Sequence, residues 1–258
     1  MSDIHSTAVV SPAAELGTGV RVGPYCIIGP GVLLGDGCVL HSHVVINGPS
    51  RIGAGNTFFS FSCIGQQSQD LKYSAEPTFL EIGEHNSFRE FCTVNRGTSP
   101  GASTSIGSHG NFLAYSHIAH DCAVGSHVIF SNNGTLAGHV TVEDHVILGG
   151  FTAVHQFCRL GRHAITGGCS KIVQDVPPYM IVDGNPAATR GVNLTGLQRA
   201  GFAEADTRAL KEAWKALFMK TGNISTAADA FRSTPHGANP HALHLLDFIK
   251  ESHRGVTR

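Results

Sequence analysis

The amino-acid sequence predicts a mainly β fold: a parallel β-helix of stacked coils followed by a small C-terminal α-helical domain. Large apolar residues recur at every sixth position from Ile4 to Ile172, and glycine often follows them. Beyond the breaker Val176-Pro177-Pro178 the period changes to that of amphipathic helices.

Counting in sixes from Ile4 gives Val10, Leu16, Val22, Ile28, Leu34, Leu40, Ile46, Ile52, Phe58 and Ile64. The series resumes at Ile82, Phe88 and Val94, then runs from Ile106 to Ile172 with Thr166 as its one polar member. No helical period fits these positions, whereas a short strand and a turn, repeated, does. The glycines, as in Leu16-Gly17 and Leu34-Gly35, are expected to supply the backbone geometry of each corner. A second inward slot lies two residues earlier and holds compact residues such as Val20 and Val44. Five of the seven cysteines (Cys26, Cys38, Cys92, Cys122 and Cys158) fall in it. Their role is apolar filling. An odd cysteine count without a CxxC pair points to reduced thiols and a cytoplasmic location.

Three slots break the series: Asp70, Glu76 and Pro100. They predict loops near 66–81 and 97–105 that leave the coil and return in register. The β-helix is assigned to residues 1–190 and the helical domain to 191–258, with helices over roughly 203–220, 225–232 and 240–253.

The net charge of -1 implies no general nucleic-acid affinity. It hides an asymmetry. Residues 1–189 carry 8 Lys/Arg against 13 Asp/Glu, a balance of -5, and residues 190–258 carry 10 against 6, a balance of +4. A basic tail is either a solvated helical surface or a docking face for an acidic partner. The N-terminus has no basic, apolar signal pattern, and no apolar run is long enough for a membrane span.

Hexads of this kind resemble those of the hexapeptide-repeat transferases, which implies a triangular, left-handed prism with three hexads per coil. Of the 16 histidines most fall at outward corners and read as solvated. One group stands apart: His117-Ile118-Ala119-His120-Asp121, then Gly138-His139, then His155-Gln156. His120 to His139 is 19 residues and His139 to Gln156 is 17. Three hexads per coil therefore place these three on successive coils along one edge. Three readings fit: exposed corner histidines, a zinc site as in hexapeptide-repeat carbonic anhydrases, or a general base taking a proton from a sugar hydroxyl. Asp121 would orient His120, and the Gly138 N–H would face a developing oxyanion.

The strings His117-Ile118-Ala119-His120-Asp121-Cys122, Val154-His155-Gln156-Phe157, Asp70-Leu71-Lys72-Tyr73 and Arg96-Gly97-Thr98 sharpen the resemblance. Over essentially its full length the chain resembles the UDP-N-acetylglucosamine O-acyltransferases, the family that opens lipid A synthesis. The resemblance implies transfer of an (R)-3-hydroxyacyl group from acyl carrier protein to UDP-N-acetylglucosamine by a homotrimer with clefts between its prisms. No metal or separate cofactor is implied, because the donor arrives on the carrier's phosphopantetheine. It further implies His120 as base with Asp121, and Gly138 as the oxyanion residue. His117, His139, His155 and Gln156 line the cleft, and Asp70, Leu71 and Lys72 sit on a loop from the adjacent subunit. Asn193 and Arg199 contact the nucleotide end. Gly168 is the implied limit on acyl length, and a glycine there predicts a longer chain. Asn95 departs from the pattern, standing where some members carry His.

Overall fold

The computed structural model describes residues 2–219 and 222–258. Residues 18 apart pair in parallel, as in Ile4 with Val22, Val10 with Ile28 and Leu16 with Leu34. Three hexads therefore make one coil. Successive hexads contribute to three different sheets of 11, 9 and 8 strands, the first, second and third faces of a prism. Two-residue strands suffice because every coil is paired above and below.

From Val22 onward the inward aliphatics are buried as predicted, whereas Ile4 in the first coil is exposed and Val10 and Leu16 are half-buried; where the inward residues are aromatic they stack along the axis. Phe58, Phe88 and Phe112 lie 5.2 and 4.8 Å apart between ring centres, each contributing roughly 1.5–3 kcal/mol by burial. The second inward slot also takes polar residues, and at Asn56 the backbone satisfies the side chain. Asn56 donates from Nδ2 to the carbonyls of Gly53 and Gly83, both at 2.8 Å, and its Oδ1 accepts from the Asn86 N–H at 2.9 Å. Thr166, the polar exception in the series, shares a 2.8 Å hydrogen bond with Thr152. The inner cysteines stay thiols: burial pushes Cys92 and Cys122 up to about 12 and Cys158 to about 11.

The glycines after the aliphatics serve a purpose other than the expected one. The left-handed corner residue sits three places after the aliphatic and is usually not glycine: Tyr25, His109, Asp121, His139 and His163 have φ of 56–60°. Gly17 is needed instead because the next coil is so close. A Cβ there would lie 2.7 Å from the Asp36 nitrogen.

The two excursions add whole hexads. Ile52 pairs with Ile82, a span of 30 rather than 18, so 12 residues are inserted. Ile82 pairs with Ile106, a span of 24, so 6 are inserted. The loops proper are shorter than expected, 67–78 and 96–102, because the strands Cys63–Gln66, Phe79–Ile82 and Ser103–Ile106 reach into both predicted ranges.

The prism ends in an antiparallel hairpin, Met180–Gly184 with Ala187–Val192, which sequence periodicity did not reveal. The expected boundary at 190 thus cuts its last strand, and Met180 and Val192 already belong to the core of the helical domain. Four α-helices follow: α1 (Leu194–Arg199), α2 (Glu204–Phe218), α3 (Ile224–Arg232) and α4 (Pro240–Lys250). The last three match the predicted helices, although residue 220, the expected end of the first, lies outside the described residues. Asn193, Asn223 and Asn239 cap α1, α3 and α4 with their side chains.

The corner histidines are not simply solvated. His85, His109, His127, His145 and His163 stack along the edge between the third and first faces, with centres 5.3, 4.9, 4.8 and 4.5 Å apart. At the end of this column His163 meets Phe202 edge-on at 5.0 Å, where the helical domain docks. Burial, then the positive fields of His145, Arg162 and His241, hold His163 down to about 4 against a partial counter-effect of Asp144. An unfolded histidine titrates near ~6.5, so between these values the unfolded chain binds the extra proton. Stability from this contact is therefore complete above about pH 6.5 and declines as pH falls towards 4. Calorimetry across that range should show a falling midpoint. His163→Phe, a residue type that already occupies other left-handed corners such as Phe157, should flatten the decline.

Candidate active site

The group around His120 occupies the turn from the second to the third face, between strands His117–Ile118 and Ala123–Val124. Asp121 is the left-handed corner residue, φ 59°, a conformation that a short carboxylate tolerates better than most side chains. Its Oδ2 lies 2.8 Å from His120 Nδ1. A carboxylate only accepts, so Nδ1 carries the ring proton and Nε2 is left as the free lone pair. Both side chains are largely shielded, 13 % and 11 % exposed, which strengthens the bond between them.

Coil geometry corrects the expected row. Steps of 18 from His120 lead to Gly138 and Gln156, and steps of 18 from Asp121 lead to His139 and Phe157. The His139 N–H accordingly donates to the His120 carbonyl, and the Phe157 N–H to that of Gly138. His139 stands edge-on to His120 at 5.2 Å and stacks face to face on Phe157 at 4.8 Å. Its Nε2 is 3.7 Å from Asp121 Oδ2, so one carboxylate oxygen faces both rings. Phe157 is the neighbour that sequence spacing overlooked; counting coils from Asp121 would have found it.

Gly138 has a definite steric duty. A Cβ on it would lie 2.4 Å from His120 Cε1 and 2.6 Å from Nε2. The imidazole rests on this glycine. Among the described residues no hydrogen bond uses the Gly138 N–H. His117, on the second face, pairs through Nδ1 with Thr93 Oγ1 at 2.7 Å, and burial followed by the field of His120 lowers its pKa. It is neutral near pH 7. His155 and Gln156 are exposed at the turn above, where His155 Nδ1 meets the Gln156 carbonyl at 3.1 Å. His120, Asp121 and His139 each offer a ligand atom within 4.8 Å of the others, the one group among the described residues with the makings of a cation site.

The remaining expected residues lie apart. Asp70, Leu71 and Lys72 form the tip of the long loop, turned by the Lys72 N–H on Asp70 Oδ1 at 2.9 Å, with Leu71 fully exposed. Among the described residues no hydrogen bond or ion pair joins that tip directly to His120; only the loop's base approaches the site. Asn193 is buried, and its amide is committed at both ends, donating to the His163 carbonyl at 2.9 Å and accepting from the Gly196 N–H at 3.1 Å. Arg199, in the last turn of α1, is exposed. Gly168 lies on a different edge, at the turn from the first face to the second, where a Cβ would meet only the Gly150 carbonyl at 3.6 Å.

Sequence reasoning also gave no role to Ser68, Thr98 and Thr104, all buried beside this site. Their signal was the break at Pro100, two residues after Thr98. The clearance at Gly138 carries a direct expectation. Gly138→Ala should expel the imidazole and break its bond to Asp121 with the fold retained. Loss of the downfield His120 Nδ1–H resonance in a folded variant checks it; an unchanged resonance contradicts it.

Comparison with known proteins places the chain in a family. The family model described as UDP-N-acetylglucosamine O-acyltransferase, domain 2, matches residues 175–257, and the bacterial transferase hexapeptide model matches residues 13–48. The chain is 47% identical to the acyl-[acyl-carrier-protein]--UDP-N-acetylglucosamine O-acyltransferase of Verminephrobacter eiseniae, over 100% of both chains. Among solved structures it resembles LpxA of Acinetobacter baumannii at 46% identity and a TM-score of 0.95, covering 99% of each chain. The UDP-N-acetylglucosamine acyltransferase of Arabidopsis matches at 37% identity and a TM-score of 0.89, covering 99% of this chain and 100% of that one. The prism is thus the left-handed β-helix expected of the hexads, and the chain belongs to the UDP-N-acetylglucosamine O-acyltransferase family.

Proposed function

We propose that this acyltransferase moves an (R)-3-hydroxyacyl group from acyl carrier protein to the 3-hydroxyl of the glucosamine ring of UDP-N-acetylglucosamine, the first step of lipid A synthesis. The observation that carries the mechanism is the 2.8 Å bond between His120 Nδ1 and Asp121, which leaves Nε2 free to accept a proton. Nε2 takes the proton of the sugar hydroxyl while its oxygen attacks the thioester carbonyl. Asp121 stabilises the imidazolium, and the Gly138 N–H receives the oxyanion. Collapse expels the phosphopantetheine thiolate, which recovers the proton from His120. The step balances without a further cofactor.

The assembly reading is a homotrimer with its sites between prisms. It is supported by the placement of His120 and Gly168 on different edges, and by the fully exposed Leu71 at the tip of a loop with Asp70 and Lys72. A neighbour's cleft gives that apolar tip a place to bury itself. His117, His139, His155 and Gln156 then line the cleft, and the exposed Arg199 is available to a diphosphate. Asn193 contributes mainly by fixing the start of α1, because its amide is already engaged. The +4 balance of residues 190–258 suits an acidic carrier protein. A cytoplasmic location fits the unpaired cysteines, and no helix among the described residues is long and apolar enough to cross a membrane.

A direct assay with UDP-N-acetylglucosamine and hydroxyacyl carrier proteins of graded length tests the reading. His120→Ala should lower turnover by about a hundred- to ten-thousand-fold while the fold persists. Near-normal turnover would remove the base. Gly168→Met, whose Cβ would meet only the Gly150 carbonyl at 3.6 Å, should shift preference to shorter chains, and an unchanged profile would place the length limit elsewhere.

A further inference from the structure

The two excursions from the coil are fastened to each other and to the site. At their bases the Arg96 N–H donates to the Gln66 carbonyl at 2.8 Å, and Asn95 Nδ2 to the Gln67 carbonyl at 2.9 Å. Deeper in, Ser68 Oγ and Thr98 Oγ1 share a 2.6 Å hydrogen bond. Ser68 and Thr98 are only 5 % and 8 % exposed. Ser68 Oγ also accepts the Asp70 N–H at 3.1 Å, so the turn that carries Asp70 and Lys72 starts from this bond. On the other side the Thr98 N–H donates to Asp121 Oδ1 at 3.3 Å, the carboxylate oxygen not used by His120. The short excursion ends by pinning the same residue again, since Thr104 Oγ1 accepts the Asp121 N–H at 2.8 Å.

From this unbroken chain of contacts we infer that Thr98 is a positioning residue that couples the long substrate loop to the Asp121–His120 pair. The inference rests on reading His120 as the base. A hydroxyl pair this well shielded cannot exchange its partner for bulk water: removing the Ser68 hydroxyl leaves Thr98 Oγ1 unsatisfied, and removing the Thr98 hydroxyl leaves Ser68 Oγ with the Asp70 N–H alone. The strain then has two outlets, the orientation of Asp121 and the start of the Asp70 turn. A bond of mere structural value would change stability alone. The short excursion thereby acquires a purpose that its own six extra residues do not reveal.

The test is steady-state kinetics on the full-length protein with UDP-N-acetylglucosamine and a hydroxyacyl carrier protein. Thr98→Val keeps the size and the N–H but deletes the hydroxyl. It should lower kcat about tenfold, as should Ser68→Ala, the usual consequence of disturbing one buried bond behind a reacting group. Thr98→Ser, which restores the hydroxyl, should stay within about twofold of the parent. The Ser68→Ala/Thr98→Val double variant should be no slower than the worse single variant, because both delete the same bond. Should Thr98→Val fold poorly, Ser68→Ala probes the bond from its other end. Unchanged kcat in Thr98→Val and Ser68→Ala, a Thr98→Ser as slow as Thr98→Val, or multiplying losses in the double variant overturns the coupling. His120→Ala in the same assay separates the two readings: if it stays active the base is misassigned, whereas an inactive His120→Ala beside a normal Thr98→Val removes only the coupling.

Discussion

Everything in this molecule depends on how closely one coil rests on the next. Ring centres of Phe88 and Phe112 are 4.8 Å apart, and those of His145 and His163 are 4.5 Å apart. These are the strand spacings of a parallel sheet imposed on side chains. At that distance a residue is defined as much by its neighbour 18 positions away as by its own chemistry. Gly17 has to be glycine because of Asp36, and Gly138 because of His120. The same constraint that closes the core therefore builds the site.

Most of the fold was legible because burial imposes a strict period. The inward series, the inner cysteines and both excursions followed from counting alone. The corner geometry was not legible in the same way. The glycine that often follows an aliphatic suggests the corner residue, yet the left-handed conformation falls three positions after the aliphatic, at Tyr25, Asp121 and His163. Stacking between successive corner residues, and for Asp121 a short polar side chain, holds a backbone conformation that composition alone would assign to glycine. Likewise the row of His120, His139 and Gln156 mixed two columns, since their separations of 19 and 17 average to one coil. Reading the site requires steps of 18 from each residue, which set Gly138 against His120 and His139 against Asp121. The helical end was legible where it is amphipathic, over α2, α3 and α4, and opaque where a hairpin and a one-turn helix rely on tertiary support.

Histidine number is no guide to function here. His85, His109, His127, His145 and His163 stack face to face, and burial drives the last two towards the neutral form. Such rings have each other as partners. His120 differs in three respects: a carboxylate at Nδ1, a glycine beneath the ring, and only an edge-on imidazole beside it. Each leaves Nε2 with lone pair and space intact. Identity of the side chain matters less than what the next coil places against it.

The lengths of the excursions follow from the same constraint. Inserting 12 and 6 residues returns the chain to the same kind of inward slot, so Ile82 and Ile106 still stack on Ile52. Re-entry one residue out of step would turn the following aliphatics outward and expose a continuous apolar face. Both excursions are thus whole numbers of hexads, and neighbouring coils supply anchors for the longer one. Here the second insertion provides them. Thr98 meets both the loop and Asp121, and Thr104 meets Asp121 on re-entry to the coil. The anchors of both excursions for that reason lie beside His120: in a scaffold this periodic, departures from the period are where the backbone is free to hold something other than itself.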